Sequence, residues 1–131
     1  MTPARSSIRV VIVDDHEMFL DALSNLLTLE DDIEVVSTMS DPRAIADIAI
    51  DADVVLMDLL LPSADGLELT RQVRAARPAQ KVIVISGRGD DSAEREALDA
   101  GAAAFLLKGG LGPEVAQTIR RVAGGPAATA G

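Results

Sequence analysis

Five apolar runs, nearly continuous in Val, Ile and Leu, alternate with amphipathic stretches along this chain, and that alternation restricts the folds open to it. The runs are residues 8–13, 33–39, 53–57, 81–85 and 103–107. Runs without polar alternation are expected where both faces of a strand are covered, as in a parallel sheet. The stretches between them have helical spacing. From His16 to Leu29, the residues Phe19, Ala22, Leu23, Leu26 and Leu27 form one apolar stripe. Asp41-Pro42 predicts a helix start, since Asp caps and Pro fits the first position, and that helix should run to about Ile50. Asp65 or Gly66 opens the next, which should end near Arg77-Pro78 because Pro forbids continuation. Asp90-Asp91 opens another, with Gly101 as a left-handed stop. Pro113 begins the last, with Val115, Ile119 and Val122 on one face. Five β-α units predict a single doubly wound α/β domain, (βα)5, with a parallel sheet and helices on both faces.

Composition narrows the classes. The 131 residues are 48% hydrophobic and 25% charged, which suits one globular domain and argues against disorder. Two Phe, no Tyr and no Trp leave an aliphatic core. The absence of Cys excludes disulfides and thiolate metal sites. No apolar stretch reaches the roughly 18 residues of a membrane span, and the N-terminus lacks a signal-peptide pattern. A cytoplasmic location and no membrane partner are therefore expected. A net charge of −9 gives no general attraction for nucleic acid or anionic lipid. The densest basic cluster, Arg120-Arg121, reads as a solvated helix face.

Four of the runs end in polar groups of complementary chemistry. The first ends in Asp14-Asp15, the third in Asp58, the fourth in Ser86 and the fifth in Lys108. In an open parallel sheet, ligands bind outside the carboxyl ends of the strands, where strand order reverses. Taken singly, the residues have plain explanations: a cap or turn for Asp14 and Ser86, a first-turn acid for Asp15, a solvated Lys108, core for Phe105, a surface position for His16. Together they predict three carboxylates, a hydroxyl and an ammonium at one sheet edge. Bare carboxylates so placed would repel. Oxygen ligands of this kind suit a hard cation such as Mg²⁺, which would also bring an anionic phosphoryl donor up to the acids. Asp58 is the natural nucleophile, giving an acyl phosphate. Lys108 can pair with the carboxylate or a phosphoryl oxygen, and the Ser86 hydroxyl can donate to another. Gly87 leaves space for that oxygen.

On these residues the chain resembles a receiver domain of two-component response regulators over residues 8–123. The matching motifs are Asp14-Asp15, Asp58 followed by Leu59-Leu60-Leu61-Pro62 and Gly66, Ser86-Gly87, and Phe105-Leu106-Leu107-Lys108. Val13-Asp14-Asp15-His16-Glu17 further resembles the subfamily whose output is a LuxR-type helix-turn-helix. The resemblance implies a flavodoxin-like fold with strand order 2-1-3-4-5. It implies that Asp58 accepts a phosphoryl group from a sensor histidine kinase. It implies Mg²⁺ held by Asp15 and Asp58 directly, by Asp14 through water, and by the backbone carbonyl of Leu60. Ser86 would be the switch hydroxyl, Phe105 the aromatic switch, and Lys108 the phosphoryl counter-charge. Such a domain is regulatory rather than an enzyme, though it catalyses its own phosphorylation and dephosphorylation. It would form a homodimer on phosphorylation and reach DNA only through an output domain.

Several positions depart from the family pattern. Gly109-Gly110 stands where Pro often follows the Lys, so no cis bond is expected. Leu61 replaces a common Met, Ser86 a common Thr, and Phe105 a common Tyr, which loses a phenolic hydrogen bond. The helix near 91–100 is mostly Ala on its apolar side and should be held weakly. Residues 1–7 read as an extension, and 124–131 have linker composition. No output domain follows within these residues, so the chain reads as a fragment of a DNA-binding regulator, the alternatives being a stand-alone receiver or a docking scaffold. An aspartyl-phosphate phosphatase of the haloacid dehalogenase type fits poorly, since it needs a second Asp two residues after the nucleophile and Leu60 stands there. A nucleotide or flavin binder would need a Gly-rich first loop, where Asp14-Asp15 is the opposite.

Overall fold

The computed structural model describes residues 7–39, 52–61, 64–87, 91–110 and 112–130. Its main sheet has five parallel strands: β1 Ile8–Val13, β2 Ile33–Met39, β3 Val54–Asp58, β4 Lys81–Ser86 and β5 Ala104–Leu107. They lie in the order β2-β1-β3-β4-β5. The described helices are α1 Glu17–Thr28, α2 Gly66–Ala76, α3 Asp91–Asp99 and α4 Pro113–Ala130. The helix expected over 42–50 lies outside the described residues, as does Asp90.

The continuous apolar runs are explained by burial on both faces. Val10, Val11, Ile12 and Val13 are all buried, and alternate residues serve different layers. Val11, Val13, Val55, Met57, Val82 and Val84 pack with Leu69 and Val73 of α2 and Ala93 and Ala97 of α3. Val10, Ile12, Val54, Leu56, Ile83 and Ile85 pack with Leu20, Leu23 and Leu27 of α1 and Val115 and Ile119 of α4. Strand order reverses at β1, whose neighbours are β2 and β3. The loop ends at this edge are tied to the sheet: Asp14 N–H donates to the Met39 carbonyl at 3.0 Å, and Leu59 N–H to Ile85 at 2.9 Å.

Local signals set the helix ends. Asp65 is the N-cap of α2, its carboxylate accepting from Leu67 N–H at 2.9 Å. That helix stops at Ala76, just before Arg77-Pro78. Past α3, Gly101 has φ +111°, Gly101 N–H bonds the Leu98 carbonyl and Ala102 N–H bonds Ala97. This is the paired-bond helix stop that a glycine permits. Between β3 and α2 an antiparallel ribbon forms, Leu60–Leu61 with Ala64–Asp65, too short for periodicity to announce. Helical backbone also runs through Gly124, Gly125 and Pro126 to Ala130, where composition reads as linker. Pro can ride in a helix when only one backbone bond is lost, and the Ala-rich run that follows favours helix. The last residue of α4 described as packing on the core is Ala123.

The solvated reading of Arg120 is corrected. Its guanidinium donates from Nε and one Nη to both Asp32 oxygens, at 2.7 and 2.9 Å, and to Glu30, tying α4 to the α1–β2 loop. The hydrogen bond from Arg120 holds the Asp32 carboxyl below its ordinary value. Because that value is lowered in the folded chain, the stabilisation is present above the ordinary carboxylate range and fades as pH falls through the lowered value. Both partners are substantially exposed, so screening limits the effect. Arg120→Ala is expected to lower unfolding free energy by roughly 1 kcal/mol at neutral pH and low salt. Denaturant titrations at two salt concentrations and in acid should show the difference shrink in each.

Helix α3 is anchored as its composition predicts. Its buried side chains are Ala93 and Ala97, while its one Leu, Leu98, is 46% exposed. An Ala methyl contributes about 0.8 kcal/mol on burial against about 2 for each Leu of α1. Amides of α3 are therefore expected to exchange through local openings of lower free energy than those of α1. Equal protection of the two helices in native-state hydrogen exchange would contradict this.

Candidate functional site

The carboxyl ends of β1, β3, β4 and β5 bring together most of the residues singled out in the sequence. Asp58 closes β3 at the centre of the sheet and is 3% exposed. Asp14 follows β1 and is 1% exposed. Asp15 is half-buried beside it. Ser86 closes β4 fully buried, one residue beyond the Ile85 that registers with Asp58. Lys108 follows β5 and opens a short 3₁₀ turn to Gly110. One ligand atom from each of Asp14, Asp15, His16 and Asp58 lies within 4.8 Å of the others.

Lys108 is the electrostatic keystone. Its Nζ lies 2.8 Å from Asp14 Oδ2 and 3.3 Å from Asp58 Oδ2, so one ammonium bridges two buried carboxylates. Burial pushes the Lys108 ammonium down, but the Asp14 hydrogen bond and the charges of Asp58 and Asp14 outweigh it and hold it above the ordinary lysine value. With its value raised on folding, its stabilisation is undiminished at neutral pH and is lost only as pH rises through the raised value. The ammonium also lies over the Phe19 ring, 4.7 Å from its centroid, a cation–π contact from α1.

The donor set fits a hard divalent cation. Among the described residues, three carboxylates meet one bridging lysine, which leaves excess negative charge. Asp15 Oδ1 is buried and, among the described residues, accepts no hydrogen bond. An orphaned carboxylate oxygen in an acidic cluster is the position a cation would fill. Asp14 Oδ1 is aimed by the backbone, since it accepts from His16 N–H at 2.8 Å in a tight turn before α1.

Two site residues escaped the sequence reading. His16, the N-cap of α1, is exposed as expected, yet its Nδ1 lies 3.1 Å from Asp14 Oδ1 and 3.3 Å from Asp15 Oδ1. Its adjacency to the acid pair was the available signal. Phe19 reads in sequence only as a member of an apolar stripe. Phe105 is half-buried and packs against the layer that carries α2 and α3, rather than joining the carboxylates. Leu60 begins the ribbon two residues after Asp58.

Residues 10–120 match the family model described as the response regulator receiver domain. This chain belongs to that family. The receiver is 37% identical to the transcriptional regulatory protein LiaR of Bacillus subtilis over 120 residues, which cover 90% of the receiver and 57% of LiaR. It is 36% identical over 121 residues to the response regulator protein VraR of Staphylococcus aureus, covering 91% and 58%. The receiver thus spans little more than half the length of these relatives. Among solved structures it superposes on the signal receiver domain of the response regulator NarL from Mycobacterium tuberculosis with a TM-score of 0.86 at 30% identity, covering 92% of the receiver and 99% of that chain. A LuxR-family two-component response regulator from Aurantimonas gives 0.85 at 26% identity, covering 92% and 87%. The family is regulatory, and the strand order implied by the resemblance, 2-1-3-4-5, is that of the observed sheet. No helix among the described residues is long and apolar enough to cross a membrane.

Proposed function

We propose that this receiver takes a phosphoryl group onto Asp58 from a phosphohistidine of a sensor histidine kinase. The observation that carries the reading is a buried Asp58 held 3.3 Å from the Lys108 ammonium, beside an acid pair with an orphaned oxygen. An Asp58 oxygen attacks phosphorus, the P–N bond breaks, and the imidazole leaves with the electron pair. Lys108 supplies a fixed positive charge where the phosphoryl oxygens gather. The Ser86 hydroxyl donates to one of those oxygens, and Phe105 follows Ser86 inward, coupling the site to the far side of β5. Asp15, Asp58 and the Leu60 carbonyl would hold Mg²⁺, with Asp14 helping through water. When bound, the cation neutralises the acids and the phosphoryl oxygens.

The same site lets the domain phosphorylate itself from small donors and remove the group again. Residues 8–123 form the receiver, with 1–7 an extension and 124–131 a linker or tail. The relatives' names and lengths support a transcriptional output of LuxR type that contacts DNA through a domain outside this chain. Phosphorylation then favours a homodimer, and the protein works in the cytoplasm. Incubation with acetyl phosphate and Mg²⁺, followed by intact mass measurement, tests the acceptor. Wild type should gain one base-labile phosphoryl group and Asp58→Asn none. No gain in wild type would overturn the reading.

A further inference from the structure

We infer that His16 is a nitrogen donor to the cation site and sets its preference among divalent metals; this rests on the reading that Asp14, Asp15 and Asp58 hold a cation. His16 Nδ1 sits 3.1 Å from Asp14 Oδ1 and 3.3 Å from Asp15 Oδ1, closer to the acid pair than a side chain on a solvated rim needs to be. Its backbone is pinned there, because His16 N–H donates to the same Asp14 Oδ1 at 2.8 Å. The ring itself is 64% exposed and has room to turn about that anchor.

The spacing is compatible with a shared cation. Ligand bonds of about 2.0–2.2 Å place opposite donors roughly 4.0–4.4 Å apart. The four donor atoms of Asp14, Asp15, His16 and Asp58 already lie within 4.8 Å of one another, so side-chain rotations could bring them onto one cation. Nδ1 is also 3.4 Å from the Lys108 ammonium, so it reaches the middle of the cluster. The same nitrogen is within hydrogen-bonding distance of Asp14 Oδ1, and Asp15 Oδ1 beside it accepts no hydrogen bond among the described residues. Nitrogen and carboxylate oxygens thus converge where one cation could take them all.

The donor chemistry decides the consequence. Carboxylate and carbonyl oxygens suit Mg²⁺, Ca²⁺ and Mn²⁺, whereas an imidazole nitrogen adds affinity for Co²⁺, Ni²⁺ and Zn²⁺. An all-oxygen set would rank these metals less steeply than this one. His16 therefore makes the site bind late first-row cations more tightly while leaving Mg²⁺ to the oxygens.

The chain has a single histidine, so one imidazole reports on the question without ambiguity. Tag-free wild type, His16→Gln and Asp15→Asn would be titrated with Co²⁺ and with Mg²⁺ well above the ordinary imidazole pKa. Proton NMR of the Co²⁺ form would be recorded, with thermal melting to confirm that each variant is folded. His16→Gln should raise the Kd for Co²⁺ by about tenfold or more and leave that for Mg²⁺ within about twofold. The lone imidazole should show hyperfine shifts with Co²⁺, and Asp15→Asn should weaken both metals. Unshifted imidazole resonances, or equal changes for both metals in His16→Gln, would overturn the role of His16 and leave the acidic site standing. Failure of either metal to bind wild type would overturn the acidic site and His16 with it.

Discussion

Lys108→Ala is expected to destabilise the metal-free receiver by on the order of 3 kcal/mol, because it leaves buried charges without their partner. Asp14 and Asp58 are 1% and 3% exposed and share this one ammonium at 2.8 and 3.3 Å. Removing the ammonium takes the nearby positive charge from both buried carboxylates, and it also removes the contact to the Phe19 ring. The loss of packing from the lysine stem adds to it. A divalent cation should restore much of the stability, since it supplies the missing charge to the same oxygens. Denaturant melts of wild type and Lys108→Ala, with and without Mg²⁺, should therefore show a larger metal-induced gain in the variant. Phosphorylation from acetyl phosphate should meanwhile slow by about two orders of magnitude, the scale of losing one preorganised charge at a reacting centre. A variant as stable as wild type without metal would mean that the bridge seen between the strands carries no energy.

Gly66→Ala is expected to be nearly as damaging, although it adds a single methyl group. Gly66 is the first residue of α2 and is buried against the turn that follows β3. A Cβ there would stand 2.3 Å from the Asp58 carbonyl oxygen, 2.8 Å from the Leu59 carbonyl oxygen and 2.9 Å from Leu59 Cα. All three are backbone atoms, which cannot swing aside as the end of a flexible side chain can. The chain must separate α2 from β3 or twist the Asp58–Leu59 peptide. It must also stretch the Gly66 N–H to Leu59 carbonyl bond, now 3.2 Å. Overpacking of this kind costs about 1–3 kcal/mol. The larger effect is on function, because the displaced backbone carries Asp58. A shift of about 1 Å at a reacting group can slow a reaction roughly a hundredfold. Gly66→Ala should fold, melt at lower temperature, and accept phosphoryl groups far more slowly than wild type. Wild-type kinetics in a folded Gly66→Ala protein would show that the close approach does not position Asp58.

The sheet and the polar groups at its edge were legible in the sequence because each depends on local pattern. Strands covered on both faces must be apolar at every position, and Val10 to Val13 and Val54 to Met57 are. Asp14, Asp58, Ser86 and Lys108 each terminate such a run, so their convergence follows once the strands are parallel and adjacent. The small buried face of α3, Ala93 and Ala97, was legible too, since an Ala-rich face can bury little whatever it packs on. What stayed hidden depends on tertiary placement. Nothing in the spacing of Phe19 separates a core aromatic from one lying under Lys108, residues that are distant in sequence. Arg120 looks solvated until α4 is docked beside Glu30 and Asp32. The Leu60–Leu61 ribbon is shorter than any period, and the helical run to Ala130 contradicts the glycine and proline within it.

The most direct test of the central claim is to locate the modified residue. An acyl phosphate on an aspartate is reduced by borohydride to homoserine, a permanent change readable by peptide mass mapping. After acetyl phosphate treatment in Mg²⁺ and reduction, the peptide containing Asp58 should carry the homoserine mass, and peptides containing Asp14 and Asp15 should be unchanged. Reduction at any other carboxylate, or at none in a protein that gained phosphoryl mass, would contradict the assignment of Asp58 as acceptor.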